Sequence, residues 1–161
     1  MKLNLGCGKE IMEDFVNVDI NSLDEKVMKV DITKSPLPFK DNQFEYVRLR
    51  HVLEHLAIKD QLNLFDELYR ITKSEGRIWI SVPHESDWCR SIDHYKGYTY
   101  LTFRNLDRFW LQKKKRFRVV METDKPTFFG KIFLHSKIRY YASYIFSKVI
   151  KDIIVELEVT K

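Results

Sequence analysis

Short apolar runs, each stopped by a glycine, an acid or a histidine, punctuate the first half of this chain and constrain its fold more than any other feature. Leu3-Asn4-Leu5 runs into the turn Gly6-Cys7-Gly8. Phe15 to Ile20 alternates apolar and polar residues and carries Asp19 near its end, the pattern of a strand. Val27 to Ile32 is a third candidate strand, carrying Asp31 and stopped by Pro36 and Pro38. Phe44 to Leu49 follows an Asp41-Asn42 turn and leads into Arg50 and His51; Arg77 to Val82 is closed by Pro83, with His84 behind it. Between these two, Ile58, Leu62, Leu64, Phe65, Leu68 and Ile71 fall at helical spacing. The spacing predicts an amphipathic helix over 58–71, ended by Ser74-Glu75-Gly76.

Strands alternating with helical or loop crossovers imply an α/β protein with a mostly parallel sheet. Ligands of such sheets sit beyond the carboxyl ends of the strands, where this chain puts Gly6, Gly8, Asp19, Asp31, His51 and His84. Further on, Arg116 to Glu122 and Ile153 to Val159 read as a late, antiparallel strand pair. Asn105 to Leu111 reads as a helix, and the apolar, aromatic and basic segment 128–150 as one or two more.

With 161 residues, 44% hydrophobic and 32% charged, the chain can bury a real core in one domain, which excludes a disordered tail or a fibre. Cys7 and Cys89 are too few for a disulfide framework or a cysteine zinc site and suit a reducing interior. No signal peptide is visible, and no run approaches the ~20 apolar residues of a membrane span, so a cytoplasmic protein is expected.

The glycine turn alone is weak evidence, since many turns look like it. A dinucleotide fingerprint would place a third glycine where Ile11 stands, and its ribose acid ~20 residues on, well beyond Asp19. The ordered set is more specific. Leu3-Asn4-Leu5-Gly6-Cys7-Gly8, Val16-Asn17-Val18-Asp19-Ile20, Asp31-Ile32, Leu37-Pro38-Phe39 with Asp41-Asn42-Gln43-Phe44, His51-Val52-Leu53-Glu54-His55-Leu56 and Gly76 to Pro83 follow one another in the first half of the chain. Together they resemble the class I S-adenosylmethionine-dependent methyltransferases, most closely the compact type-11 branch.

The resemblance implies a Rossmann-like fold, a mostly parallel sheet with helices on both faces and an antiparallel C-terminal strand pair. It implies S-adenosylmethionine as cofactor, leaving as S-adenosylhomocysteine. Gly6 and Gly8 would let the backbone approach the amino-acid end and the ribose, Asp19 would accept from the ribose hydroxyls, and Asp31 would accept from the adenine amino group. Cys7, Ile20, Ile32, Arg50 and His51 would line the cofactor. Residues 1–90 would be the cofactor half, and 91–161 the acceptor side or lid with the terminal strands. The region between Gly8 and Val16 departs from the common pattern, because it has no room for a crossover helix.

His84, Asp93, His94 and Tyr95 are the candidates for a general base toward the acceptor, with His94 preferred as the catalytic residue. His51-Val52-Leu53-Glu54-His55 also matches H-x-x-E-H, which in a metallopeptidase holds zinc through both histidines. A recurring five-residue pattern carries less weight than the ordered set, so no metal is expected. Gln112 to Arg118 is the strongest basic run; it could meet a nucleic acid or another anionic surface, although a solvated turn is the commoner meaning. The expected partner is an acceptor of unidentified structure, a small molecule by preference, and a homodimer is compatible with the apolar segment 128–150. An inactive cofactor-binding partner subunit is the alternative to an enzyme.

Overall fold

The computed structural model describes residues 1–21, 24–85, 91–106, 116–128, 131, 135–145 and 149–161. Its strands are β1 (Lys2–Leu5), β2 (Phe15–Asp19), β3 (Val27–Lys29), β4 (Phe44–Arg50), β5 (Thr72–Pro83), β6 (Phe117–Pro126) and β7 (Ile150–Val159). Its helices are α1 (Ile58–Ile71), α2 (Tyr100–Arg104) and α3 (Ser136–Ile145), with a 3-10 turn at Leu53–His55. The strands form one sheet in the order β3-β2-β1-β4-β5-β7-β6.

Leu3, Asn4 and Leu5 are all buried, so β1 is covered on both faces, as a central parallel strand must be. It pairs in parallel with β2 (Leu5 opposite Val18) and with β4 (Leu5 opposite Leu49). From β1 the chain steps outward to β2 and β3, then returns across β1 to β4 and β5. That reversal leaves a crevice above the ends of β1 and β4, which places Gly6 against the segment that begins at His51.

The crossover from β1 to β2 is a loop, residues 6–14, and two buried asparagines replace the missing helix. Asn4 and Asn17 face each other in register, and Asn4 Nδ2 donates to Asn17 Oδ1 at 3.0 Å and to the Glu10 carbonyl at 2.7 Å. Asn17 accepts from the Met12 amide and donates to the Met12 carbonyl. The amides thus satisfy loop backbone that a helix would have satisfied internally.

Helix α1 spans the residues its periodicity predicts. Leu64, Phe65, Leu68 and Ile71 lie on its buried face, each worth about 1.5–3 kcal/mol against full exposure. The same face carries Gln61, whose amide donates to the carbonyls of Leu53 and Leu56 and so anchors the 3-10 turn. The helix passes straight into β5 at Thr72, five residues before the expected start of that strand. β3 is shorter than expected and leaves Asp31 in the turn beyond it. The late strands are both longer, and β7 runs antiparallel to β5 and to β6. Tyr100–Arg104 is helical ahead of the expected helix at 105–111, most of which lies outside the described residues. In segment 128–150, Ala142 of α3 packs with Val149 and Ile150. No described helix is long and apolar enough to cross a membrane.

Candidate active site

Both glycines of the first turn adopt left-handed backbone, φ +67° at Gly6 and +53° at Gly8. A Cβ on Gly6 would lie 2.5 Å from Val52 Cγ2, whereas one on Gly8 would meet nothing within 4 Å. Gly6 is therefore required by the packing of β1 on the segment after β4, and Gly8 faces open space. The turn is tied down by Cys7 N–H donating to the Val18 carbonyl (2.9 Å) and Gly8 N–H donating to Asp19 Oδ2 (2.8 Å). Asp19 Oδ1 accepts from the Asn21 amide at 2.9 Å. Each carboxylate oxygen accepts one bond and keeps acceptor capacity for another donor.

Asp31 takes both of its bonds on Oδ1, from the Thr33 amide (3.0 Å) and hydroxyl (2.7 Å), and these hold its carboxyl below the usual range. Asp19, Ile20, Asp31 and Ile32 line one cavity of about 270 Å³, together with Gly6, His51 and Val52. Ile20 is half exposed into it, an apolar surface between two carboxylates.

A second cavity, about 490 Å³, shares Gly6, Asp19 and His51 with the first and adds Cys7, Gly8, Lys9, Glu10 and Arg50. Arg48 and Arg50, on one face of β4, hold Glu10 at 2.7 and 2.5 Å. Their hydrogen bonds, Arg50's first, pull the Glu10 carboxyl down to about 2. Arg50 Nε is buried without a hydrogen-bond partner among the described residues. Burial and the Asp19 charge push the Cys7 thiol up, so it stays protonated and inert.

His51 stands between these cavities in left-handed backbone, φ +52°. Its Nδ1 lies 2.9 Å from Glu54 Oε1, and its Nε2 lies 3.6 Å from Asp152 Oδ2. Asp152 and then Glu54 raise its pKa to about 9, making it an imidazolium at neutral pH. Asp152 and Glu10 are the site residues that sequence reasoning missed. An acid within the buried apolar run Ile150–Val155 and two arginines at alternate positions of one strand were the available signals.

His55, Ile92, Asp93, His94 and Tyr95 line a third cleft, of about 670 Å³. His55 also borders the first cavity and so joins the two. Tyr95 N–H donates to the Glu54 carbonyl at 2.8 Å, strapping this loop to the 3-10 turn. His84 is buried, bridged to Tyr98, and does not line the cleft. The metallopeptidase pairing of His51 with His55 is not reproduced, because both His51 nitrogens face carboxylates and His51 precedes the 3-10 turn. From the basic run, Arg116 pairs with Asp66 and lies over Tyr69, and Arg118 pairs with Glu158; residues 112–115 lie outside the described residues.

Residues 3–80, just under half of the chain, match the type-11 family model described as a methyltransferase domain. No curated protein sequence matches the chain. Among solved structures, a SAM-dependent methyltransferase from Archaeoglobus fulgidus superposes with TM-score 0.66 at 17% identity, over 98% of this chain and 85% of that one. A SAM-dependent methyltransferase from Methanosarcina mazei gives 0.65 at 13%, over 99% and 92%. The [4+2]-cyclase SpnF gives 0.65 at 11%, over 99% and 74%. The family match and the Rossmann-like sheet thus agree with the sequence reading, and the cofactor that this family implies is S-adenosylmethionine. The residues present suit that group: two carboxylates with acceptor capacity, exposed isoleucine between them, and a glycine turn with open space at Gly8.

Proposed function

We propose that the chain is an S-adenosylmethionine-dependent methyltransferase whose acceptor enters through the cleft at His55, Asp93, His94 and Tyr95. The observation that carries this reading is the convergence of Asp19, Asp31, Ile20 and Ile32 on one cavity at the strand-order reversal, beside the glycine turn. Asp19 would accept from ribose hydroxyls and Asp31 from the adenine amino group, with Ile20 and Ile32 against the ring. Gly6, Cys7, Gly8, Arg50 and His51 would border the amino-acid end, where the Arg50 guanidinium would meet its carboxylate. When bound, the cofactor supplies a methyl group already activated by a sulfonium, so orientation provides most of the catalysis. In a site without a cation, His94 would take the proton of a hydroxyl or amine acceptor. Residues 1–90 hold the cofactor in this reading, and 91–95 supply the acceptor wall. The pairing of Arg116 and Arg118 with acids favours a small acceptor over a nucleic acid. The cyclase on the same fold is a reason to test the reaction separately from binding.

Calorimetry with S-adenosylhomocysteine tests the binding. One site per chain is expected, and Asp19→Ala should weaken it about 100-fold, the loss expected for charge-assisted hydrogen bonds. Unchanged affinity in a folded Asp19→Ala protein would overturn the site assignment. Transfer of a labelled methyl group to a panel of small hydroxyl, amine and thiol acceptors then tests the reaction.

A further inference from the structure

Three of the five histidines, His51, His55 and His94, gather around one buried carboxylate, Glu54. Donor atoms of Glu54, His55 and His94 all lie within 4.8 Å of one another. Glu54 is fully buried; its Oε1 accepts from His51, and its Oε2 has no hydrogen-bond partner among the described residues. A carboxyl oxygen buried without a hydrogen-bond partner is costly, and a cation beside it would relieve that cost. The rest of the cluster is built to stay in place. The His55 and His94 rings meet edge to face at 4.9 Å, Asp93 Oδ2 lies 3.0 Å from His55 Nδ1, and the Tyr95 amide straps the His94 loop to the Glu54 carbonyl.

We propose that Glu54, His55 and His94 bind a divalent first-row transition cation at the mouth of the acceptor cleft. Two imidazoles and one carboxylate form a donor set that zinc and iron(II) both use, with positions left for other ligands. Ligand atoms 2.0–2.2 Å from an ion stand about 3.3 Å apart in tetrahedral geometry. Closing the present spacing takes a movement of at most about 1.5 Å, which the partly exposed His55 and His94 side chains can make by rotation. Asp93 orients the His55 ring from outside the donor set, as carboxylates beside metal-bound histidines do. Because His55 and His94 line the cleft, water or an oxygen donor of an incoming ligand would fill the remaining coordination positions. This site differs from the H-x-x-E-H pairing in using His94 and leaving His51 out. With a cation bound, His94 is a ligand and not a base.

The test is a titration of chelator-treated protein with Co²⁺, read by its visible ligand-field absorption, followed by displacement with Zn²⁺ in a calorimeter. One ion per chain is expected, without sulfur charge-transfer absorption, and His55→Ala and His94→Ala should each weaken binding at least about 10-fold. Both side chains are partly exposed, so these variants should keep the wild-type circular dichroism, and Glu54→Gln provides a third loss of binding. His135→Ala, at an exposed histidine outside the cluster, should bind as the wild type does. Absence of stoichiometric binding, a cysteine-ligated spectrum, or unchanged affinity in folded His55→Ala and His94→Ala proteins overturns the proposal. The titration contains no cofactor, so its failure leaves the S-adenosylhomocysteine result standing, and the reverse holds equally.

Discussion

The parallel half of the sheet and its antiparallel tail handle charge in opposite ways. Around β1, β2 and β4, the acids Asp19 and Asp31 accept from local backbone and from Thr33, and keep acceptor capacity toward a cavity. Along β6 and β7 the acids are matched with arginines from neighbouring elements. Glu158 meets Arg77 and Arg118, Glu122 meets Arg104, and Asp124 meets Arg139 of α3. Asp19 and Asp31 present charge to the cavity, whereas the tail neutralises its acids, as Arg48 and Arg50 do for Glu10. Asp152 is the exception, an acid of the tail that reaches the site through His51. The difference teaches that the cavity of Asp19 and Asp31 is built from carboxylates held in place by groups that do not cancel their charge.

The sharpest way to break this contrast is Arg139→Ala. Asp124 would remain buried without its guanidinium, which lies 2.6 Å away, and stability should fall by about 3 kcal/mol in denaturant titrations. Affinity for S-adenosylhomocysteine should not change. A matching loss of affinity would show that the tail helps to hold the cofactor cavity in shape.

Gly6→Ala should sharpen the contrast from the other side, costing stability and affinity together. The new methyl group collides with Val52 in a backbone conformation that suits glycine, and about 2 kcal/mol should be lost, a fall of roughly 4–8 °C in Tm. Adding Val52→Ala should restore the steric part and leave the backbone part. If the single variant melts as the wild type does, the close approach of β1 to Val52 is wrong.

The smallest effect belongs to Glu10, whose carboxyl the Arg50 and Arg48 side chains hold at about 2. A depressed folded-state pKa makes its contribution complete above the unfolded carboxyl value of about 4.3 and lost as pH falls toward 2. Because Glu10 is half exposed, that contribution is a few tenths of a kcal/mol at most. The stability difference between wild type and Glu10→Gln should therefore be flat above pH 5 and shrink below it. A difference that grows as pH falls would reverse the sign of the interaction.

Local pattern was enough for much of this molecule. The 3.6-residue period of 58–71 marked α1 to the residue, and alternation with glycine, proline and acid stops located the five parallel strands and the residues beyond their ends. These features are set by side chains a few positions apart, so they are legible in sequence. The edges of elements were less so: β5 begins at Thr72 because it pairs with β4, and β6 and β7 lengthen because each finds the other as a partner.

Side-chain partnerships across long separations were decided only by the tertiary structure. Asn4 with Asn17 explains how a nine-residue loop can join parallel strands, a departure that the sequence could state but not resolve. Gly6 was expected to clear space for a ligand, yet its own Cβ position is taken by Val52, while Gly8 has the open side. Asp152 lies 101 residues from His51 and makes it an imidazolium, and His94 lies 39 residues from His55 and rests against its ring. A sequence lists which groups a chain owns and how neighbours alternate, but the electrostatics of a site depend on through-space distance, and packing alone brings those groups together.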